Sequence, residues 1–95
     1  MILSVASVWE MQIKLQIGKL RLESPLSLLL ELQQKTNGLK ILPISLQHVL
    51  VIETLPLLHK DPFDRILLAQ AQIEDLMFVS ADTLLKNYSS KIIWS

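Results

Sequence analysis

Three carboxylates, Glu10, Asp64 and Asp82, each stand where an apolar, strand-like run gives way to a segment of helical pattern. In an open α/β sheet, ligands sit outside the carboxyl ends of the strands. Carboxylates gathered at that edge make an all-oxygen site, which suits Mg²⁺ or Mn²⁺. A hard cation held there activates a water and stabilises the charge that develops on a scissile phosphate. Each acid also has a purely structural reading. Glu10 follows Ser7 at capping-box spacing. Asp64 falls in the first turn after the helix start at Asp61-Pro62, and Asp82 is a good N-cap for the segment behind it. An acid at a helix N-terminus gains about 0.3–1 kcal/mol from the macrodipole. Taken singly these readings suffice. Taken together they leave unexplained why three junctions all carry a carboxylate, when Ser, Thr or Asn would cap as well.

Other chemistry is thinner. His59 has two readings: a general base near Asp61 and Asp64, or a loop histidine bound to a backbone carbonyl or carboxylate, and the second is preferred. His48 reads as a helix-surface residue and Trp9 as a core residue. Lys14, Lys19 and Arg21 form either a phosphate-facing group or, preferably, a solvated face. The chain has no cysteine, so thiol nucleophiles, disulfides and zinc–thiolate sites are excluded. It has no Gly-rich phosphate loop, no G-x-S-x-G and no H-E-x-x-H. Asp61 lies beside the acidic positions and is a weaker candidate than the three acids.

The elements that must position these groups follow from period and punctuation. Met1 to Leu3 is a strand end. A helix follows with Ser7 as its cap, an apolar series at Val5, Val8, Trp9, Ile13 and Ile17, and Gly18 as its stop. Glu10 and Lys14 are spaced as an i,i+4 pair. Ser24-Pro25 opens a Leu-rich helix as N-cap and N1, running to about Lys35 and stopped by Asn37-Gly38. Leu39 to Leu42 is a short strand ended by Pro43. Ser45 caps a third helix through about Glu53, and residues 55–60 are a loop. Asp61 caps a fourth helix with Pro62 at N1, continuing to about Asp75. Met77 to Ser80 is a buried-type strand, Asp82 starts a short helix to about Tyr88, and Lys91 to Trp94 is a last strand. Strands alternating with helices imply a parallel sheet with crossover helices.

Composition sets the limits. Ninety-five residues suffice for one domain, 1–95. The chain is 51% hydrophobic and 19% charged, with a mean hydropathy of +0.41. That suits parallel strands buried on both faces, or apolar surface covered by a partner. Net charge is zero, so no basic excess drives non-specific nucleic-acid binding. No run approaches the ~18 apolar residues of a membrane span. The N-terminus lacks the basic region of a signal peptide. A cytoplasmic protein is expected, without a membrane partner.

Residues 4–14, SVASVWEMQIK, with Gly18-Lys19-Leu20 after them, resemble the second conserved block of PIN-domain proteins of the VapC toxin type. Residues 55–71, LPLLHKDPFDRILLAQA, closely resemble the third block. Ser80-Ala81-Asp82 resembles the last acidic block, where Thr is commoner in the place of Ser80. The resemblance covers essentially the whole chain, and residues 61–71 carry its most specific part. It implies an α/β/α sandwich on a parallel sheet. It implies an Mg²⁺- or Mn²⁺-dependent endoribonuclease acting on RNA, a cognate antitoxin protein as partner, and a homodimer. It aligns Glu10, Asp64 and Asp82 with three of the family's acidic metal-binding and catalytic positions.

The departure lies at the start. The family pattern begins with an apolar strand, central in the sheet, that ends in an Asp. Residues 1–95 hold no such segment ahead of the Ser4–Lys14 block. The expectation is an incomplete PIN-like domain that lacks the N-terminal central strand and is weakly active or inactive as this chain. The alternative is a non-catalytic remnant that binds an antitoxin or dimerises. A third outcome is a product too unstable to fold.

Overall fold

The computed structural model describes residues 1–55, 61–76 and 78. The expected strand at Met77–Ser80, the helix starting at Asp82 and the strand at Lys91–Trp94 lie outside them, as does most of the loop before Asp61. Strand β1 is Ile2–Ser4 and runs directly into helix α1, Val5–Gln16. Helix α2, Leu26–Asn37, leads to strand β2, Lys40–Leu42. Helix α3, Leu46–Val51, continues as a single 3-10 turn, Ile52–Thr54, and helix α4 is Pro62–Glu74.

The two strands pair in parallel, with Ile2 opposite Lys40, Leu3 opposite Ile41 and Ser4 opposite Leu42. The amide of Lys40 donates to the Met1 carbonyl at 2.9 Å. A parallel pair needs a crossover, and α1 and α2 provide it. The fold is therefore α/β, with a small parallel sheet and four helices among the described residues.

The helix ends follow their local chemistry. Gly38 closes α2 in the left-handed conformation (φ +63°), and its amide reaches back to the Gln33 carbonyl. Gly18 does the same after α1 (φ +78°), letting the amides of Lys19 and Leu20 bond the Lys14 carbonyl at 2.8 and 3.1 Å. Two starts differ from the sequence reading. The cap of α1 is Ser4, whose hydroxyl accepts from the Ala6 amide at 3.0 Å, and Ser7 is buried inside the helix. At α2 the capping residue is Pro25 itself, with no side-chain bond, so Ser24 plays no capping part.

Burial divides by chemistry. Leu3, Met11, Leu20, Leu26, Leu29 and Leu39 form one apolar cluster, with Val8, Leu15, Leu22, Leu30 and Ile41 packed on it. It lies between β1, α1, α2 and the start of β2. Along β1 the side chains alternate in direction. Leu3 enters this cluster, while Ser4, equally buried, meets α4. A strand buried on both faces is the expected state in a parallel sheet.

Of the apolar series read along α1, Val8 packs on the cluster, but the series is not the buried stripe. The helix's fully buried residues are Ala6, Ser7 and Met11. Val5, Trp9 and Ile17 are exposed, Trp9 to 59%. Trp9 is therefore a surface residue rather than part of the core.

Candidate functional site

Helix α4 begins as its sequence dictates. Asp61 stands just before it, and its carboxylate accepts the Phe63 amide at 2.8 Å. Pro62 fills N1, where no amide proton is needed. The Asp61 carbonyl takes the Arg65 amide at 3.1 Å. Arg65 in turn donates through Nη2 to the Ile52 carbonyl at 3.3 Å, fastening α4 to the 3-10 turn. Asp64 is the third helical residue and is exposed, near the positive end of the helix dipole.

Glu10 is six residues into α1. With Ser4 as the cap, Glu10 is not the acidic member of a capping box, and that structural explanation for it falls away. It is half-buried and engaged by a partner.

Two contacts join the helices that carry these acids. Near the start of α1, the Ser4 hydroxyl donates to Gln70 Oε1 of α4. Further on, the rings of Trp9 and Phe63 meet edge to face, with centroids 5.1 Å apart and planes at 73°. Such a pair contributes about 0.5–1.5 kcal/mol beyond its buried area. Moving from the first contact to the second advances along α1 and retreats along α4, so the helices pass in opposite senses. Glu10 directly follows Trp9, and Asp64 directly follows Phe63. The turns bearing the two acids therefore lie at the same level of the pair. Asp82 falls outside the described residues.

Behind this pair lies a buried polar chain. The Ser4 hydroxyl accepts from Ala6, so its proton goes to Gln70 Oε1. That fixes the Gln70 amide group: Nε2 donates to the Pro43 carbonyl at 3.2 Å and lies 3.4 Å from His48 Nδ1. His48 Nδ1 accepts the Ser45 amide at 2.9 Å, while the Ser45 hydroxyl accepts the His48 amide at 3.2 Å. This is a capping box with histidine in the place of the usual Glu or Gln. With Nδ1 an acceptor, the ring proton sits on Nε2 and is donated to Glu74 Oε1 at 2.9 Å. His48 is 1% exposed and Gln70 is fully buried. The helix-surface reading of His48 is thus overturned, because its ring caps the helix from inside. His59 lies outside the described residues.

For a metal the donor chemistry is suitable. Glu10 and Asp64 offer carboxylate oxygens, the chain has no cysteine, and both ring nitrogens of His48 are engaged. Oxygen donors select Mg²⁺ or Mn²⁺ over softer ions. Among the described residues no group of three His, Asp or Glu side chains is close enough to hold an ion. No described helix is long and apolar enough to cross a membrane.

A small parallel sheet crossed over by helices defines the class, an α/β protein. The chain belongs to the PIN-domain family, whose model matches residues 1–91. Membership implies a nuclease-like function, and PIN domains are typically divalent-metal-dependent nucleases. Comparison with curated proteins and with solved structures gave no significant match.

Proposed function

We propose that this chain is a PIN domain of the VapC type, derived from the endoribonuclease toxin of a type II toxin–antitoxin pair. Its substrate class is RNA, its partners are a cognate antitoxin and a second copy of the chain, and its compartment is the cytoplasm. Residues 1–95 form one PIN-like domain. The carrying observation is the level passage of the Glu10 and Asp64 turns, held by the Ser4–Gln70 and Trp9–Phe63 contacts. In this reading Glu10, Asp64 and Asp82 hold Mg²⁺ or Mn²⁺, which supplies an activated water and charge stabilisation at the phosphate. Glu10 and Asp64 orient the ion from two helices.

The test is RNA cleavage by the purified chain with Mg²⁺ or Mn²⁺, beside Asp64→Asn and a chelator control. Residual cleavage is expected to disappear in both controls while the circular dichroism spectrum is unchanged. Cleavage that survives Asp64→Asn would sink the site assignment.

A second reading is supported by the exposed apolar residues of α1 and α3. Val5, Trp9 and Ile17 on one, and Leu46, Val49 and Leu50 on the other, leave large side chains uncovered. A non-catalytic remnant that binds antitoxin or self-associates would use such surface. Antitoxin binding by a folded chain that cleaves no RNA under any metal condition would establish it.

A further inference from the structure

The buried polar chain is unusual in its placement. Gln70 sits at the middle of α4, fully buried, in an otherwise apolar stretch. Its carboxamide spans the carboxyl ends of both strands. Oε1 takes the hydroxyl of Ser4, the last residue of β1, and Nε2 gives to the carbonyl of Pro43, the residue after β2. That edge is where open α/β sheets place their sites. Yet this amide faces no ligand, because its oxygen and its nitrogen are both satisfied within the protein. Ser4 is at once the end of β1, the cap of α1 and the partner of Gln70. The one hydroxyl therefore fixes where α1 begins relative to α4.

We propose that Gln70 is a positioning residue. Through Ser4 it sets the level at which the Glu10 turn of α1 and the Asp64 turn of α4 pass, and through Pro43 it locks that level to the sheet. A hydrophobic side chain of similar size would fill the space but impose no register. An amide bonded in two directions accepts one arrangement, because any slip leaves a buried polar atom unpaired. The inference rests on the functional reading only for the consequence at the metal site. The register itself is a property of the fold.

The experiment uses the full chain with Gln70→Leu, Ser4→Ala and Ser4→Thr. Two readouts are taken on each folded variant. The first is the nuclear Overhauser contact between the Trp9 and Phe63 rings, which reports the register without any metal. The second is Mn²⁺ affinity by electron paramagnetic resonance, with Asp64→Asn as the site control. Gln70→Leu and Ser4→Ala are expected to weaken or shift the ring contact and to lower Mn²⁺ affinity about tenfold to 100-fold, the usual effect of losing an outer support of a metal site. Ser4→Thr keeps the hydroxyl and is expected to restore both.

A residue that only stabilises would reduce the folded fraction and leave the folded signal unchanged. An unaltered ring contact in the folded Gln70→Leu and Ser4→Ala variants therefore overturns the proposal. So does unfolding of both variants beside an intact Ser4→Thr, which would make the pair a stability element alone. If the unsubstituted chain binds no Mn²⁺ in an Asp64-dependent way, the metal-site reading fails, and the ring contact still decides the role of Gln70.

Discussion

The two sides of β1 solve the same problem with different chemistry. On one side Leu3 joins Met11, Leu20, Leu26, Leu29 and Leu39 in an apolar cluster, with buried Gln33 on the same stripe of α2 as Leu26 and Leu29. On the other, Ser4, His48 and Gln70 are buried just as deeply and are joined by directed hydrogen bonds. The apolar side gains from burial at about 25 cal/mol per Å², without regard to direction. The polar side gains little net energy per bond, about 0.5–1.5 kcal/mol, but tolerates few arrangements. The polar side is the one that meets α4, which bears Asp64, whereas α1 packs on the apolar side through Met11. Directed hydrogen bonds thus gather on the side of this short strand that faces α4.

The contrast breaks most visibly at Leu29. It is fully buried in the apolar cluster, and truncation to Ala removes three carbons and leaves a cavity. Leu29→Ala is expected to cost about 2–5 kcal/mol in urea unfolding. Against a usual total of about 5–15 kcal/mol, that is a large share. A loss below about 1 kcal/mol would mean that this cluster does not carry the fold's stability.

A smaller effect is expected at His48. His48→Leu keeps the bulk, removes the acceptor for the Ser45 amide and the donor to Glu74, and leaves Gln70 Nε2 one neighbour fewer. The expected cost is about 1–3 kcal/mol, the range for leaving buried polar groups unpaired. Amide exchange sharpens the comparison. Protection of Ser45 and of the first turn of α3 should drop more than that of α2, whereas Leu29→Ala should lower protection throughout. Equal loss everywhere after His48→Leu would show that the two sides are not separable.

How far the sequence revealed this division depends on the kind of signal. Asp61 and Ser45 cap through their own side chains, Gly18 and Gly38 turn through their own backbone, and each of these local signals marks its helix end as expected. The alternation that predicted parallel strands holds for β1 and β2. Of the apolar series Val5, Val8, Trp9, Ile13 and Ile17, Val8 packs on the core while Val5, Trp9 and Ile17 are exposed, and the fully buried positions are Ala6, Ser7 and Met11. Ala6 and Ser7 let the helix approach its neighbours closely, and hydropathy does not register that. His48 was misread because the capping-box pattern asks for Glu or Gln three residues after Ser45. The imidazole Nδ1 can accept the same amide, which is the signal that was present. Gln70 reads in the sequence only as part of the body of the fourth helix, although an amide inside ILLAQA is itself a cue for a buried polar partner. That partner, Ser4, lies 66 residues away, a pairing that only the fold makes.

The smallest effect tests the local end of this scale. Asp61 is exposed and accepts one amide, that of Phe63, at 2.8 Å. Asp61→Ala is expected to cost about 1 kcal/mol, as for other N-cap removals. Asp61→Asn and Asp61→Ser should recover most of it, since each retains an oxygen that can cap. The loss should appear as fraying of the first turn of α4, where Phe63 and Asp64 stand, and should leave the cluster around Leu29 untouched. Because Phe63 holds the Trp9 ring, that fraying should weaken the edge-to-face contact even though the Ser4–Gln70 bond survives. If instead Asp61→Asn lowers Mn²⁺ affinity as much as Asp61→Ala, with no fraying, the Asp61 carboxylate acts at the acidic site directly and is not merely a cap.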